Sequence, residues 1–211
     1  MEAGICDGLI VGNFLNDNSL AAVGLSSPMF SISGIICGLF ATGMQTMCAQ
    51  ELGRGDIKSL NRVFSSVFYI AGVVSVIIMS VELIFAKQLA YLFGATGEGI
   101  GLAVLATDYI RGLAIGFPAL VLTVIVASGC QLDSGRKRVM KATIIYCGSN
   151  IAFDILAIVL NTGEFGIGLA TALGAYVELC YLMLHFRTKD RMLHFTKFRI
   201  SFNEVIELMS L

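Results

Sequence analysis

Four carboxylates sit inside long apolar stretches of this sequence: Asp7, Glu82, Asp154 and Glu178. A carboxylate in such a setting is costly and marks a functional site by default. Asn150 precedes Asp154 by four residues, so on a helix both point the same way. Thr171 adds a hydroxyl in the following apolar stretch. Asp7, Asn150, Asp154 and Thr171 together make an all-oxygen donor set. Oxygen donors suit a hard cation such as Na⁺, and paired carboxylates suit a shared proton. The competing use is structural, a buried polar network that holds helices together. Glu82 falls near the end of its stretch and is expected to reach water. Glu178 either pairs or lines a cavity.

The elements that must position these groups are membrane helices. The chain has 211 residues, of which 56% are hydrophobic and only 14% charged; its mean hydropathy is +0.84. A soluble domain usually carries about 25% charged residues, so there is too little charge here to cover a water-facing surface. Apolar blocks run over about 3–15, 20–50, 62–85, 103–130, 139–160 and 165–186. A bilayer-spanning helix needs about 20 such residues. The expected fold is therefore an all-α integral membrane protein with six transmembrane helices, the first block being too short to span alone. Residues 1–186 form the helical unit. Residues 187–211 form a basic linker and the start of an amphipathic or seventh helix. Within it, Ser201 and Glu204 make a capping-box pattern, followed by apolar Phe202, Val205, Ile206 and Met209.

Basic residues divide sharply between alternate breaks. The second break holds Arg54, Lys58 and Arg62. The fourth holds Arg136, Lys137, Arg138 and Lys141. The tail holds Arg187, Lys189, Arg191, Lys197 and Arg199. These three, four and five residues make twelve of the 14; only Lys87 and Arg111 fall on the other side. The positive-inside rule puts the second break, the fourth break and the tail in the cytoplasm. An odd miscount of spans would scramble this division, so it supports six crossings independently. With that orientation, Asp7 lies roughly 12 Å below the outer end of its helix, and Asp154 and Thr171 roughly 9 Å below theirs. The oxygen-bearing side chains thus fall at one level.

Other features read more plainly. Twenty-three glycines against two prolines fit close helix packing in lipid. Small residues recur four apart at Gly8/Gly12, Gly34/Gly38, Gly112/Gly116 and Ala170/Gly174; generic membrane packing suffices to explain them. Pro118, inside the fourth block, is expected to kink its helix, and Pro28 to help set the start of the second. Six cysteines without CxxC spacing read as small core-filling residues. His185 and His194 lie near one membrane edge. The start lacks a basic n-region, so no cleavable signal peptide is expected.

At these residues the chain resembles the MATE (multidrug and toxic compound extrusion) transporters, over almost its whole length and as the first of two six-helix lobes. Asp7-Gly8-Leu9-Ile10-Val11-Gly12 is similar to the family's D-x-x-x-x-G. Leu20-Ala21-Ala22-Val23-Gly24-Leu25 with Pro28 resembles L-A-A-V-G-x-x-x-P. The stretch from Gly43 through Ala49-Gln50-Glu51-Leu52-Gly53-Arg54-Gly55-Asp56 resembles G-x(5)-A-Q-x-x-G-x-G-D. Asn150-x-x-x-Asp154 and then Gly166-x-Gly168-x-Ala170-Thr171 follow in the family's order and spacing. The resemblance implies that Asp7, Asn150, Asp154 and Thr171 match cation-coupling positions. It implies an antiporter, not an enzyme, that exchanges H⁺ or Na⁺ for amphiphilic, often cationic, small molecules in the plasma membrane. No cofactor is expected beyond the coupling ion. The expected partners are the lipid bilayer, the substrate, and a missing second lobe or second copy, with no nucleic acid.

The chain departs from the family pattern in three ways. It lacks the second lobe, the stretch before Asp7, and the proline common in the loop at 133–138. It therefore reads as a partial chain that does not transport alone. A lipid-linked oligosaccharide flippase is the nearest transport alternative, but it would carry more cationic residues in its cavity than Arg111. A membrane-inserted remnant without transport is another. An intramembrane aspartyl protease would need a GxGD motif inside a span, whereas the GxGD here, Gly53-Arg54-Gly55-Asp56, falls in a polar break away from Asp7 and Asp154; a serine type would need a histidine level with Ser128.

Overall fold

The computed structural model describes residues 2–95, 100–187 and 191–196, with only the backbone described at 2–6 and 100. Seven α-helices follow one another: α1 (Glu2–Phe14), α2 (Asp17–Leu25), α3 (Ser27–Arg54), α4 (Ile57–Leu92), α5 (Ile100–Leu132), α6 (Arg136–Val159) and α7 (Gly163–Met183). A 3₁₀ turn, Leu184–Arg187, closes the last. No strand occurs among the described residues. The capping-box segment at 201–211 lies outside them.

Five stretches are long and apolar enough to cross a membrane: Asp17–Arg54, Ile57–Leu92, Gly101–Leu132, Arg136–Val159 and Gly163–Arg187. The 13-residue α1 joins them as a shorter sixth element of roughly 20 Å. Large apolar side chains point outward along the bundle, among them Leu39, Ile84, Leu92, Ile144 and Val159, each at least two-thirds exposed. In water such a surface would be untenable; in lipid it is the expected one.

The polar breaks become tight, capped turns. Asn16 accepts a hydrogen bond from the Ser19 amide at 2.9 Å and starts α2. Gly55 ends α3 in the left-handed region at φ 75°, where a side chain would be strained. Asp56 then caps α4 by accepting from the Lys58 and Ser59 amides, each at 3.0 Å. These bonds hold the Asp56 carboxyl below its usual range, with the Ser59 contacts the largest cause.

The second apolar block is not one helix. It breaks at Ser26 (φ −83°, ψ −2°), between α2 and α3. Pro28 has no amide hydrogen and its ring crowds the carbonyl of Gly24 four residues back, which favours a break just before it. Pro118, by contrast, lies within an uninterrupted α5. There Tyr176 donates from its hydroxyl to the Ile115 carbonyl at 3.1 Å, beside the hydrogen-bond gap a proline leaves.

The central helix is α5, packed most extensively against α7 and α4. Two features let α7 lie close. Gly112 and Gly116 on α5 present bare backbone to α7, and Gly168 on α7 presents bare backbone to α5. A Cβ on Gly116 would stand 2.7 Å from Ala172 Cα, and one on Gly168 2.9 Å from the Leu113 nitrogen. Gly8, Gly34 and Gly38, which share the same spacing pattern, have nothing within 4 Å.

The end of the bundle that bears the 54–62 and 133–141 turns also receives the tail. Asn61 donates to the Met192 carbonyl (3.3 Å) and accepts from the His194 amide (2.6 Å). Ser65 accepts from the Thr196 amide and Asp133 from the Met192 amide. Phe195 enters a ring cluster with Phe64, Phe68 and Phe186, centroids 4.9–5.4 Å apart. The second break, the fourth break and the tail therefore share one end, as an even number of crossings between them requires.

Candidate functional site

On α6, the buried residues Ala142, Tyr146, Asn150, Asp154 and Ala157 fall at helical spacing and make one stripe. Gly174 on α7 lets that stripe approach: a Cβ there would meet Asn150 Cβ and the Tyr146 ring at 3.3 Å. Helix α1 packs beside α6 and α7 and brings Asp7 to the same place.

The four residues expected to act together are all buried: Asp7 and Asp154 are 0% exposed, Asn150 and Thr171 1%. Thr171 donates to Asp7 Oδ2 at 2.8 Å. Asn150 Nδ2 donates to Thr171 Oγ1 at 3.2 Å, and Asn150 also interacts with the Asp7 carboxylate. A chain from α6 through α7 to α1 results. Asp154 is near enough to Asp7 for the two charges to interact.

Tyr109 completes the group and was not singled out from the sequence. Its hydroxyl donates to Asp7 Oδ2 at 2.6 Å, from a side chain that is fully buried on α5. A tyrosine among apolar residues carries no local sign of a partner 102 positions away. Asp7 Oδ2 therefore receives two hydroxyl donors. Asp7 Oδ1 and both oxygens of Asp154 are buried with no hydrogen-bond partner. Carboxylate oxygens in that state are costly unless a positive charge or a proton meets them. Carboxylate, hydroxyl and amide oxygens in this arrangement are the donor types that can hold a hard cation or share a proton.

The remaining carboxylates divide. Glu82 is buried, 7% exposed, and does not reach water as expected. The reason is its face: Glu82 lies on the same stripe as Ala86 and Ala90, which α4 packs against α5. Glu178 is half-buried on α7. Glu164, which reads as a loop residue, is buried in the first turn of α7 and accepts from Ser19 Oγ at 2.5 Å. That bond fastens the start of α2 to the start of α7. At the opposite end, Asp133 bonds His185 Nε2 at 2.9 Å. The cysteines Cys37, Cys48 and Cys130 are buried free thiols, as core fillers would be.

A family model described as MatE matches residues 3–156. The multidrug export protein MepA of Staphylococcus aureus (strain NCTC 8325 / PS 47) is 24% identical over 184 residues, covering 87% of this chain and 40% of its own length. MepA of Staphylococcus haemolyticus (strain JCSC1435) is 25% identical over 193 residues, covering 91% and 42%. Among solved structures, an inward-facing multidrug resistance MATE family transporter of the MOP superfamily superposes with a TM-score of 0.87 at 24% identity. It covers 99% of this chain and 47% of that one. The chain thus has the fold of one lobe and spans less than half the length of the proteins it matches.

Proposed function

The chain belongs to the MatE family, and on that premise we propose that it is the ion-coupling lobe of an antiporter. The antiporter takes up H⁺ or Na⁺ and exports amphiphilic, often cationic, small organic molecules. The observation that carries this reading is the set of three buried carboxylate oxygens without a partner on Asp7 and Asp154. Among the described residues no Lys or Arg pairs with either carboxylate, so a mobile cation is the natural counter-charge. When the ion enters, it meets both carboxylates; Thr171, Asn150 and Tyr109 hold Asp7 in place from three other helices. When it leaves, two buried negative charges face each other, which favours a rearrangement of α1 against α6 and α7. That coupling of ion occupancy to helix position is what an exchanger needs.

A second lobe, or a second copy of this one, completes the pathway. The lobe inserts with its basic turns and tail in the cytoplasm, following the excess of Lys and Arg there. The test uses the intact protein in sealed vesicles, with an imposed H⁺ or Na⁺ gradient and a fluorescent cationic dye as substrate. Asp7→Asn and Asp154→Asn should each abolish gradient-driven dye movement while leaving insertion intact. Gradient-dependent transport retained in either variant refutes the coupling role. Loss of transport together with unchanged ion binding in both variants refutes it equally.

A further inference from the structure

A pocket of about 340 Å³ opens at the basic end of the bundle, where α6 starts and the tail leaves α7. Its wall carries Lys137, Arg138, Lys141 and Arg191, with His185 and Tyr181 behind them. No carboxylate lines it among the described residues. The neighbouring pocket at the same end is different: there Arg54 stands among Glu51 and Asp56, and Arg54 bonds Glu51 at 2.6 Å. General enrichment in basic residues explains cations scattered at this end. It does not explain four of them converging on one concavity with no carboxylate on its wall among the described residues.

Three further observations mark the pocket as built to receive an anion. Gly135 lines the pocket at the start of α6, and no side chain caps that helix, which leaves its positive end free of a side-chain acceptor. The Nε atoms of Arg138 and Arg191 are buried without a hydrogen-bond partner. The Arg138 guanidinium is fixed over the Tyr181 ring at 5.1 Å, which presents its donors rather than letting them roam.

We propose that this pocket is a binding site for a phosphate group, held by Lys137, Arg138, Lys141 and Arg191 at the uncapped start of α6. Arginine forks and lysine ammonium groups are the usual donors to phosphate oxygens. The site lies where the bundle meets the membrane surface, so the phosphate of an anionic lipid is within reach, as is free phosphate from water. The site is separate from the Asp7–Asp154 group and stands or falls without it.

The experiment uses the intact protein in nanodiscs of phosphatidylcholine alone or with phosphatidylglycerol added at about one lipid in three. Phosphatidylglycerol that co-purifies after release into neutral detergent is counted by native mass spectrometry. A parallel arm measures thermal protection by inorganic phosphate against chloride at equal ionic strength. Lys137→Gln combined with Lys141→Gln changes two exposed side chains and leaves the core alone. It should lower retention of the lipid, or protection by phosphate, about tenfold or more. Arg138→Gln should do the same, and Lys58→Gln combined with Arg62→Gln, at the next turn, should not. Retained lipid without phosphate protection assigns the lipid headgroup as source; the reverse assigns the free anion. Neither effect in the unaltered protein, or an equal loss in the Lys58/Arg62 variant, overturns the proposal.

Discussion

Replacing Gly168 with alanine drives a methyl carbon into the backbone of α5. The new carbon would lie 2.9 Å from the Leu113 nitrogen and 3.1 Å from Gly112 Cα, and against the Tyr109 carbonyl oxygen, where ordinary contact begins near 3.4 Å. The obstructing atoms are backbone, so no side chain can swing aside. Helices α5 and α7 must part by roughly one ångström at the crossing to clear the Tyr109 carbonyl. Overpacking of this kind costs about 1–3 kcal/mol, and a backbone obstruction takes the upper end. At roughly 2–4 °C per kcal/mol for a chain of this size, Tm should fall by roughly 6–12 °C. The same separation stretches the Tyr109 and Thr171 hydrogen bonds, which reach one oxygen of Asp7 from α5 and α7. Gly34→Ala is the control: it has nothing within 4 Å, and alanine favours a helix over glycine by about 1 kcal/mol. Unfolding can be followed by a thiol-reactive dye reporting on buried Cys37, Cys48 and Cys130, on a Cys6→Ala, Cys147→Ala, Cys180→Ala background. Equal Tm values for the Gly168 and Gly34 variants would refute the close-crossing argument.

Three more outcomes follow from the contacts described. Ser19→Ala should cost about 1.5–3 kcal/mol, because a buried carboxylate loses its donor, whereas Glu164→Gln, which can still accept, should cost less; a Tm for Ser19→Ala within a degree of the parent would count against this. Asn61→Ala removes two hydrogen bonds to the tail, so trypsin should cut after Arg191 several-fold faster with little change in Tm; an unchanged rate would mean the tail is held otherwise. For topology, a cysteine introduced at Ser134 on a cysteine-free background should resist impermeant reagent in intact cells, and one at Lys87 should react; the opposite pattern inverts the orientation.

The sequence by itself determined the number and rough limits of the apolar segments, because burial in lipid is a property of each segment alone. It determined which breaks share a side, since charge count by alternate loops needs no contact information. It also placed Asn150 and Asp154 on one face of α6, as the helical period dictates. Depth below the outer end of each helix put Asp7 and Thr171 at their level, and the family resemblance pointed to the same residues. What the sequence left open were choices between equivalent local patterns. Four pairs of small residues had the same spacing, yet Gly112 and Gly116 meet backbone while Gly34 and Gly38 meet nothing. Only the crossing of α5 and α7 separates them. Tyr109 reaches Asp7 across 102 positions, and Glu164 reaches Ser19 across 145. Glu82 lies buried because its stripe of α4 faces α5, and the tail docks because Asn61, Ser65 and Asp133 meet its backbone. Local periodicity fixes the face a side chain occupies; the partner on that face is set by how the helices pack, and that depends on all of them at once.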